Sequence, residues 1–253
     1  MDMTREAMEF VKELTENAAP IHRPMEICGR TYVNEKLIRM DEKPKAEPLT
    51  VSTLTGLMDY VIGCSDDYNG FDGCDRKMVF HIEDPRTVSF FTTLDGERKR
   101  ETLCRAKAEV NEFSFGRWID QDTFIISLQS NFEQSEDRDL IMKFAGNAMK
   151  QNEVAYADDG ITQTATMKMG AASTANVQVP NPVTLKPYRT FQEVAQPETQ
   201  YVFRMRDNDG LQFLLADASN GIWKNEAIYH IKTWIYNELQ KSGMNKDQFV
   251  VIG

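Results

Sequence analysis

Apolar residues recur at helical spacing in several segments of the chain. In residues 4–17 they fall three or four positions apart, and Pro20 closes the segment. Residues 221–239 carry the strongest stripe, formed by Trp223, Ala227, Ile228, Ile231, Trp234, Ile235 and Leu239. These patterns predict an amphipathic helix near each end of the chain.

Three more helices are predicted in between. Thr50 is positioned to cap a helix that stops at Gly63. Asp120 is positioned to cap another, and a further helix follows after an acidic loop, with Leu140, Ile141, Phe144 and Ala148 on one face. We expect the last two to pack as a pair.

Alternating and turn-forming residues predict antiparallel hairpins. Strands are expected at 77–82 and 87–94, with Asp95-Gly96 as a two-residue turn into a polar strand at 97–110. Further hairpins are expected around Asp159-Gly160 and around residues 207–210. Residues 249–252 then add a last strand.

The predicted fold class is α+β, with antiparallel hairpins covered by amphipathic helices. Residues 20–48 hold four prolines and many charges, which indicates an extended arm with room for one short hairpin. We therefore expect an N-terminal helix and proline-rich arm in residues 1–48 and a single α+β body in residues 49–253.

Composition indicates the cellular compartment in which the protein is expected. Apolar residues make up 41% of the chain, which suits a folded protein, but no apolar run approaches the roughly 20 residues that span a bilayer. The N-terminus does not resemble a secretion signal, and the four cysteines form no Cys-x-x-Cys pair. These features predict a cytoplasmic protein with free thiols and no membrane partner.

One acidic and basic pattern raises the possibility of a nuclease. Asp84, Glu97 and Lys99 have the acid, acid-x-lysine order of metal-dependent nucleases, in which carboxylates hold magnesium and a lysine orients the attacking water. The same residues also fit a solvated strand with salt-bridged charges, which we favour. The nuclease stays as the alternative.

A local basic stretch is the candidate nucleic-acid surface. It consists of Arg98, Lys99, Arg100, Arg105 and Lys107. The formal net charge of −10 disfavours long-range attraction to phosphates, and the stretch lacks interleaved aromatic residues for base stacking. We therefore expect nucleic acid not to be a partner, with a basic-strand binder as a second alternative.

Other candidate chemistry is weak. Residues 65–76 have the spacing of a calcium loop, but Ser65 and Arg76 stand where an Asp and a bidentate Glu are required. His22, His81 and His230 have no sequence-near nucleophile, and no P-loop, dinucleotide or hydrolase-elbow motif is present. The sequence predicts no metal and no cofactor.

One region resembles a known group of proteins. Its residues are Asp158-Asp159-Gly160-Ile161-Thr162-Gln163, the proline-spaced run from Val179 to Phe191, and Glu193-Val194 with Gln196-Pro197. They resemble a family of uncharacterised proteins of tailed phages and prophages, a domain of unknown function. The resemblance implies phage origin and expression in a bacterial host cytoplasm, and it transfers no catalytic residues.

The proline-spaced segment 180–197 is predicted to be extended and pinned by Tyr188, Arg189 and Phe191. It fits either a rigid crossover within one subunit, which we favour, or a strap between subunits.

The functional expectation is a non-enzymatic binding or self-assembling protein. A short amphipathic helix is marginal in water, so the apolar residues Phe10, Val11 and Leu14 need a surface to cover. That surface belongs either to the same chain or to a neighbouring copy, and we expect a homo-oligomer.

Overall fold

The structure is a computed structural model. It describes residues 4–18, 25–33, 38–39, 45–65, 77–148, 157–158, 163–168, 174–179, 181–207 and 210–253. The chain divides into two compact units, Met1–Ala46 and Glu47–Gly253. The secondary structure confirms the predicted α+β class with an N-terminal helix.

The N-terminal unit contains helix α1 and a small antiparallel sheet. Helix α1 spans Arg5–Ala18. The sheet has the order β1-β2-β3, with β1 at Met25–Ile27, β2 at Arg30–Val33 and β3 at Ile38–Arg39. Cys28 and Gly29 both have positive φ, which is the backbone that a tight two-residue hairpin turn requires.

The second unit begins with a five-stranded sheet in the order β15-β5-β6-β7-β4. The strands are β4 (Leu49–Val51), β5 (Met78–Asp84), β6 (Thr87–Thr92), β7 (Thr102–Lys107) and β15 (Phe249–Ile252). The central strands pair antiparallel, whereas both outer strands pair parallel to their neighbours. Helices α2 (Leu54–Gly63) and α5 (Trp223–Lys241) pack with this sheet around one core.

This first core follows from the alternation along the strands. Side chains of every second residue, such as Phe80 and Phe90, are fully buried, and their rings lie 4.8 Å apart. Helix α5 meets them with a stripe three or four residues apart, confirming the predicted apolar face. Its fully buried members are Ala227, Ile231, Ile235 and Leu239.

A four-stranded antiparallel sheet forms the second layer, in the order β12-β13-β14-β8. Its strands are β8 (Ile119–Asp120), β12 (Val183–Leu185), β13 (Thr199–Asp207) and β14 (Leu211–Asp217). Helices α3 (Gln121–Asn131) and α4 (Glu136–Asn147) pack together on it, as predicted, and enclose a second core rich in phenylalanine. The predicted hairpin at residues 207–210 joins β13 to β14.

A third antiparallel sheet contains β9 (Ala157–Asp158), β10 (Gln163–Lys168) and β11 (Thr174–Val179). The pairing of β9 with β10 confirms the predicted hairpin there. Strand β11 was not predicted from the sequence.

Two local predictions are wrong. Thr50 lies in β4, and the helix cap is Thr53, whose hydroxyl accepts a hydrogen bond from the Gly56 amide at 3.0 Å. Asp95-Gly96 is not a two-residue hairpin turn. The Asp95 carboxylate instead holds a longer loop by accepting from the Glu97 and Lys99 amides, and β7 starts only at Thr102.

The proline-spaced segment links the two layers within one chain. We call residues 186–198, between β12 and β13, the strap. Pro187 forms a β-bridge with Phe132 of the second core, whereas Phe191 and Val194 are buried in the first core. The strap is therefore a crossover inside the unit. Among the described residues, no helix is long and apolar enough to cross a membrane.

Candidate ligand-binding cavity

The strap is held in shape by one buried side chain, that of Gln196. Its Oε1 accepts from the backbone amides of Arg189 at 2.9 Å and Thr190 at 3.3 Å. Its Nε2 donates to the carbonyls of Phe191 at 3.0 Å and Val194 at 3.4 Å. The Gln196 amide thus supplies partners for four backbone groups of this irregular segment.

The strap is also fixed to the tight turn between β5 and β6. The Thr190 hydroxyl donates to the Pro85 carbonyl at 2.5 Å, and Nε of Arg86 donates to the Arg189 carbonyl at 3.2 Å. The Asp84 carboxylate accepts from the Arg86 amide at 2.6 Å and stabilises this turn. These bonds bring the two arginines together from positions far apart in the sequence.

Arg189 is the central side chain where the strap meets the second sheet and helix α5, and it is only 6% exposed. One Nη donates to the hydroxyl of Thr199 on β13, and the other lies 3.7 Å from a carboxylate oxygen of Asp217 on β14. The guanidinium carbon lies 4.0 Å from the ring centroid of Trp223, the first residue of α5. Arg189 therefore connects the second sheet to a helix of the first layer.

Burial shifts the pKa values of two side chains at this site. It lowers the pKa of Arg189, an effect that nearby Tyr201 and Asp217 oppose and that the positive charge of Arg86 reinforces. Burial also raises the pKa of the Tyr201 hydroxyl. Arginine side chains keep their proton in proteins, so Arg189 is cationic at neutral pH.

A cavity of about 210 Å³ lies beside Arg189. Arg86 and Arg189 contribute its cationic part, and aromatic side chains form much of the rest. The full lining consists of Arg86, Asn111, Glu112, Phe113, Phe115, Asn131, Pro187, Tyr188, Arg189 and Trp223. Phe113 and Phe115 contact each other with ring centroids 4.8 Å apart. The cavity combines two guanidinium groups, of which that of Arg86 is paired with Glu112, with apolar walls, and such a mixture is typical of small-molecule sites.

A second, more polar space of about 430 Å³ adjoins the cavity. Asn111, Asn131 and Tyr188 line both spaces. The second space also borders Glu109, Ser130, Glu133, Gln192 and Gln196. The two spaces are therefore neighbours on one side of the strap.

The residues of the predicted nuclease site are not brought together. Asp84 lies at one end of β6, in the turn before it, and Glu97 and Lys99 lie in the loop beyond its other end. The six residues of β6 span about 20 Å at roughly 3.4 Å each. Among the described residues, no three His, Cys, Asp or Glu side chains are placed to hold a metal ion.

The predicted basic stretch is divided between a loop and a strand. Arg98, Lys99 and Arg100 precede β7, whereas Arg105 and Lys107 alternate with its buried residues. Arg100 lies over the ring of Phe91, at 5.6 Å. Nε of Arg105 donates to the Ser89 hydroxyl at 3.0 Å, and its guanidinium lies 3.6 Å from Glu83. The charge of Arg105 is thus partly neutralised within the sheet.

The remaining predicted candidates are also accounted for. His81 packs edge-on against Phe91, and Nδ1 of His230 lies 2.9 Å from the Ala195 carbonyl oxygen. Cys28, Cys64 and Cys104 are free thiols. His22, Cys74 and residues 66–76 of the calcium-like loop lie outside the described part of the chain.

Most cavity residues were not predicted from the sequence, because they come from distant segments. One signal was present: Arg189 stands in a run of prolines and apolar residues, where an arginine is expected to be buried with partners. A second signal is Phe113-Ser114-Phe115, an aromatic pair in an otherwise polar connection. Neither signal indicates Arg86 or Trp223.

Comparison with known proteins adds no assignment. No family model, curated protein or solved structure matches this chain. The resemblance to tailed-phage proteins stays a prediction that rests on the residues quoted above. The function must be argued from the chain's own geometry.

Proposed function

We propose that this is a non-enzymatic, self-associating protein, phage-encoded as the sequence resemblance implies, whose copies pair through helix α1 in the bacterial cytoplasm. One observation carries the proposal. The apolar face of α1 is open to solvent, with exposures of 57% for Met8, 61% for Phe10, 49% for Val11 and 51% for Leu14.

An uncovered face of this kind is unfavourable. Burying a large apolar side chain stabilises by about 1.5–3 kcal/mol, and an isolated helix of 14 residues is marginal in water. Packing the α1 face against another surface supplies both the apolar burial and the support that the helix needs.

A second copy of α1 suits this face. The apolar stripe from Ala7 to Leu14 is centred between Phe10 and Val11. Antiparallel pairing about a two-fold axis at that point places Phe10 opposite Val11 and Leu14 opposite Ala7, so that large residues meet smaller ones. At about 100° per residue, Lys12 and Glu9 lie on the side of the helix away from this stripe, where Glu9 pairs with Arg5.

The alternatives receive less support from the geometry. The nuclease needs Asp84, Glu97 and Lys99 at one centre, and they lie at opposite ends of β6. The basic-strand binder needs accessible cations, and Arg105 is engaged by Ser89 and Glu83. Neither alternative has an observation in its favour beyond its sequence pattern.

Light scattering after size exclusion tests the proposal on the full chain. We expect an oligomer at micromolar concentration that becomes a monomer in the double variant Phe10→Asp with Leu14→Asp. Ile126→Asp is the matched control, because Ile126 is 63% exposed on helix α3 and the same change there leaves the oligomer intact. A monomeric wild-type protein, or an oligomer unaffected by the double variant, contradicts the proposal.

A further inference from the structure

The buried guanidinium of Arg189 has fewer partners than its chemistry requires. It carries five N–H donors, and within the described part of the chain its one hydrogen bond is to Thr199. Its contact with Asp217, at 3.7 Å, is an ion pair beyond hydrogen-bond length, and Nε has no hydrogen-bond partner among the residues that the structure describes. A buried charge with unmet hydrogen-bonding capacity is costly, and such a group in a native protein calls for a physical explanation.

A second guanidinium, that of Arg86, lines the same cavity. It is 34% exposed, and one Nη lies 2.5 Å from Glu112 at the surface, where that carboxylate is 73% exposed. The two arginines are close enough for the charge of Arg86 to lower the pKa of Arg189. An anion in the cavity offsets that repulsion.

The aromatic walls of the cavity indicate the chemistry of the uncharged part of the ligand. Phe113 is buried, and Phe115 stacks on Tyr201 with ring centroids 5.0 Å apart. The Trp223 ring, already paired with Arg189, completes an aromatic surface at the first turn of α5, where the positive end of the helix dipole adds to the field. A volume of about 210 Å³ has room for one six-membered ring with a small substituent.

We propose that this cavity binds a small organic monocarboxylate with a planar apolar body. Its carboxylate lies at the guanidinium groups of Arg86 and Arg189, and its ring lies against Phe113 and Phe115. The planar fork of arginine matches a carboxylate in shape and charge. Glu112 at the rim disfavours doubly charged phosphates by repulsion. This site does not depend on self-association through α1.

Benzoate is the probe, and benzamide is its neutral partner of nearly equal shape. Calorimetry and ligand-observed NMR on the full chain measure both. We expect benzoate to bind at least tenfold more tightly than benzamide, since only the carboxylate interacts with the two cations. We expect phenyl phosphate to bind more weakly than benzoate at pH 7.5, where its second ionisation is nearly complete.

The variant that tests the site is Arg86→Gln, since Arg86 is partly exposed and its loss is better tolerated than that of Arg189. Lys107→Gln is the matched control, because it removes one positive charge from an exposed position outside the cavity. Arg86→Gln is expected to weaken benzoate binding at least tenfold, and Lys107→Gln less than twofold. Because Nε of Arg86 also donates to the Arg189 carbonyl, circular dichroism at the assay temperature checks that the Arg86→Gln variant is folded. Equal binding of benzoate and benzamide, or equal loss in both variants, overturns the proposal.

Discussion

The guanidinium carbon of Arg189 lies 4.0 Å from the centroid of the Trp223 ring. Arg189 belongs to the strap and also contacts Thr199 and Asp217 of the second sheet, whereas Trp223 opens the helix that covers the first sheet. The pair therefore joins the two layers by a cation–π contact in which the cation is buried and the ring is half-buried. Its strength bears on whether the layers unfold together.

A double-mutant cycle measures this contact. With Arg189→Met and Trp223→Leu, we expect a coupling free energy of about 1–2 kcal/mol, because a desolvated cation–π pair is worth about that much. The free energy of unfolding by urea, followed by circular dichroism, is measured for the wild type, the two single variants and the double variant.

Arg206 and Trp118 provide the matched control. They form a similar contact, at 4.2 Å, and both rings are half-buried, but Arg206 is partly exposed whereas Arg189 is buried. We expect a coupling of about 0.5 kcal/mol or less with the same substitutions. Equal coupling in the two pairs argues against a special role for burial at Arg189.

Gln196 is predicted to be the most sensitive residue of the strap. Gln196→Ala removes the partner of the Arg189 and Thr190 amides and of the Val194 carbonyl, and we expect a loss of about 2–4 kcal/mol in unfolding free energy. Gln192→Ala, at an exposed position of the same strap, is expected to change it by less than about 0.5 kcal/mol. Comparable losses in both variants contradict this role.

The sequence predicted those elements whose signals are local. Asp120 and the hairpin at 207–210 are examples, since each depends on residues within a few positions. The parallel pairing of β4 with β7 and of β15 with β5 was not predictable, because it joins segments separated by helices and loops. The helix cap predicted at Thr50 was wrong for a physical reason. Threonine is common both at helix caps and in strands, and at this position it pairs with β7 as part of strand β4.

The residues of the cavity were also hard to predict from local sequence. Its arginines stand about a hundred residues apart in sequence, and only the hydrogen bonds between the strap and the β5–β6 turn bring them together. The sequence indicated that Arg189 was pinned, but it gave no sign of its partners. Long-range packing therefore determines the site, while local chemistry determines the elements that carry it.

The cap of α3 is predicted to be pH-dependent. Hydrogen bonds from the backbone and side chain of Thr123 hold the pKa of Asp120 below its usual value. The stabilisation is therefore present above the unfolded pKa of about 3.9 and is lost as the pH falls through the lower folded pKa. We expect Asp120→Ala to lower the unfolding free energy by about 1 kcal/mol at pH 7 and by progressively less below pH 4.

Ser135 is the control for this prediction. Its hydroxyl caps α4 by accepting from the Arg138 amide at 3.2 Å, and it does not titrate in this range. Ser135→Ala is expected to cost about 1 kcal/mol at both pH values. A loss in Asp120→Ala that does not change with pH shows that the carboxylate charge is not involved.

The most direct test of self-association is a charge placed on the apolar face of α1, measured by sedimentation equilibrium. Val11→Asp puts a carboxylate opposite Phe10 at two symmetric contacts, and it is expected to raise the dimer dissociation constant about tenfold or more, because burying an unpaired charge is costly. Lys12→Glu is the matched control, because Lys12 lies on the opposite side of the helix, and it is expected to change the dissociation constant less than about twofold. A Val11→Asp variant with the wild-type dissociation constant, or an equal loss in both variants, contradicts pairing through the apolar face of α1.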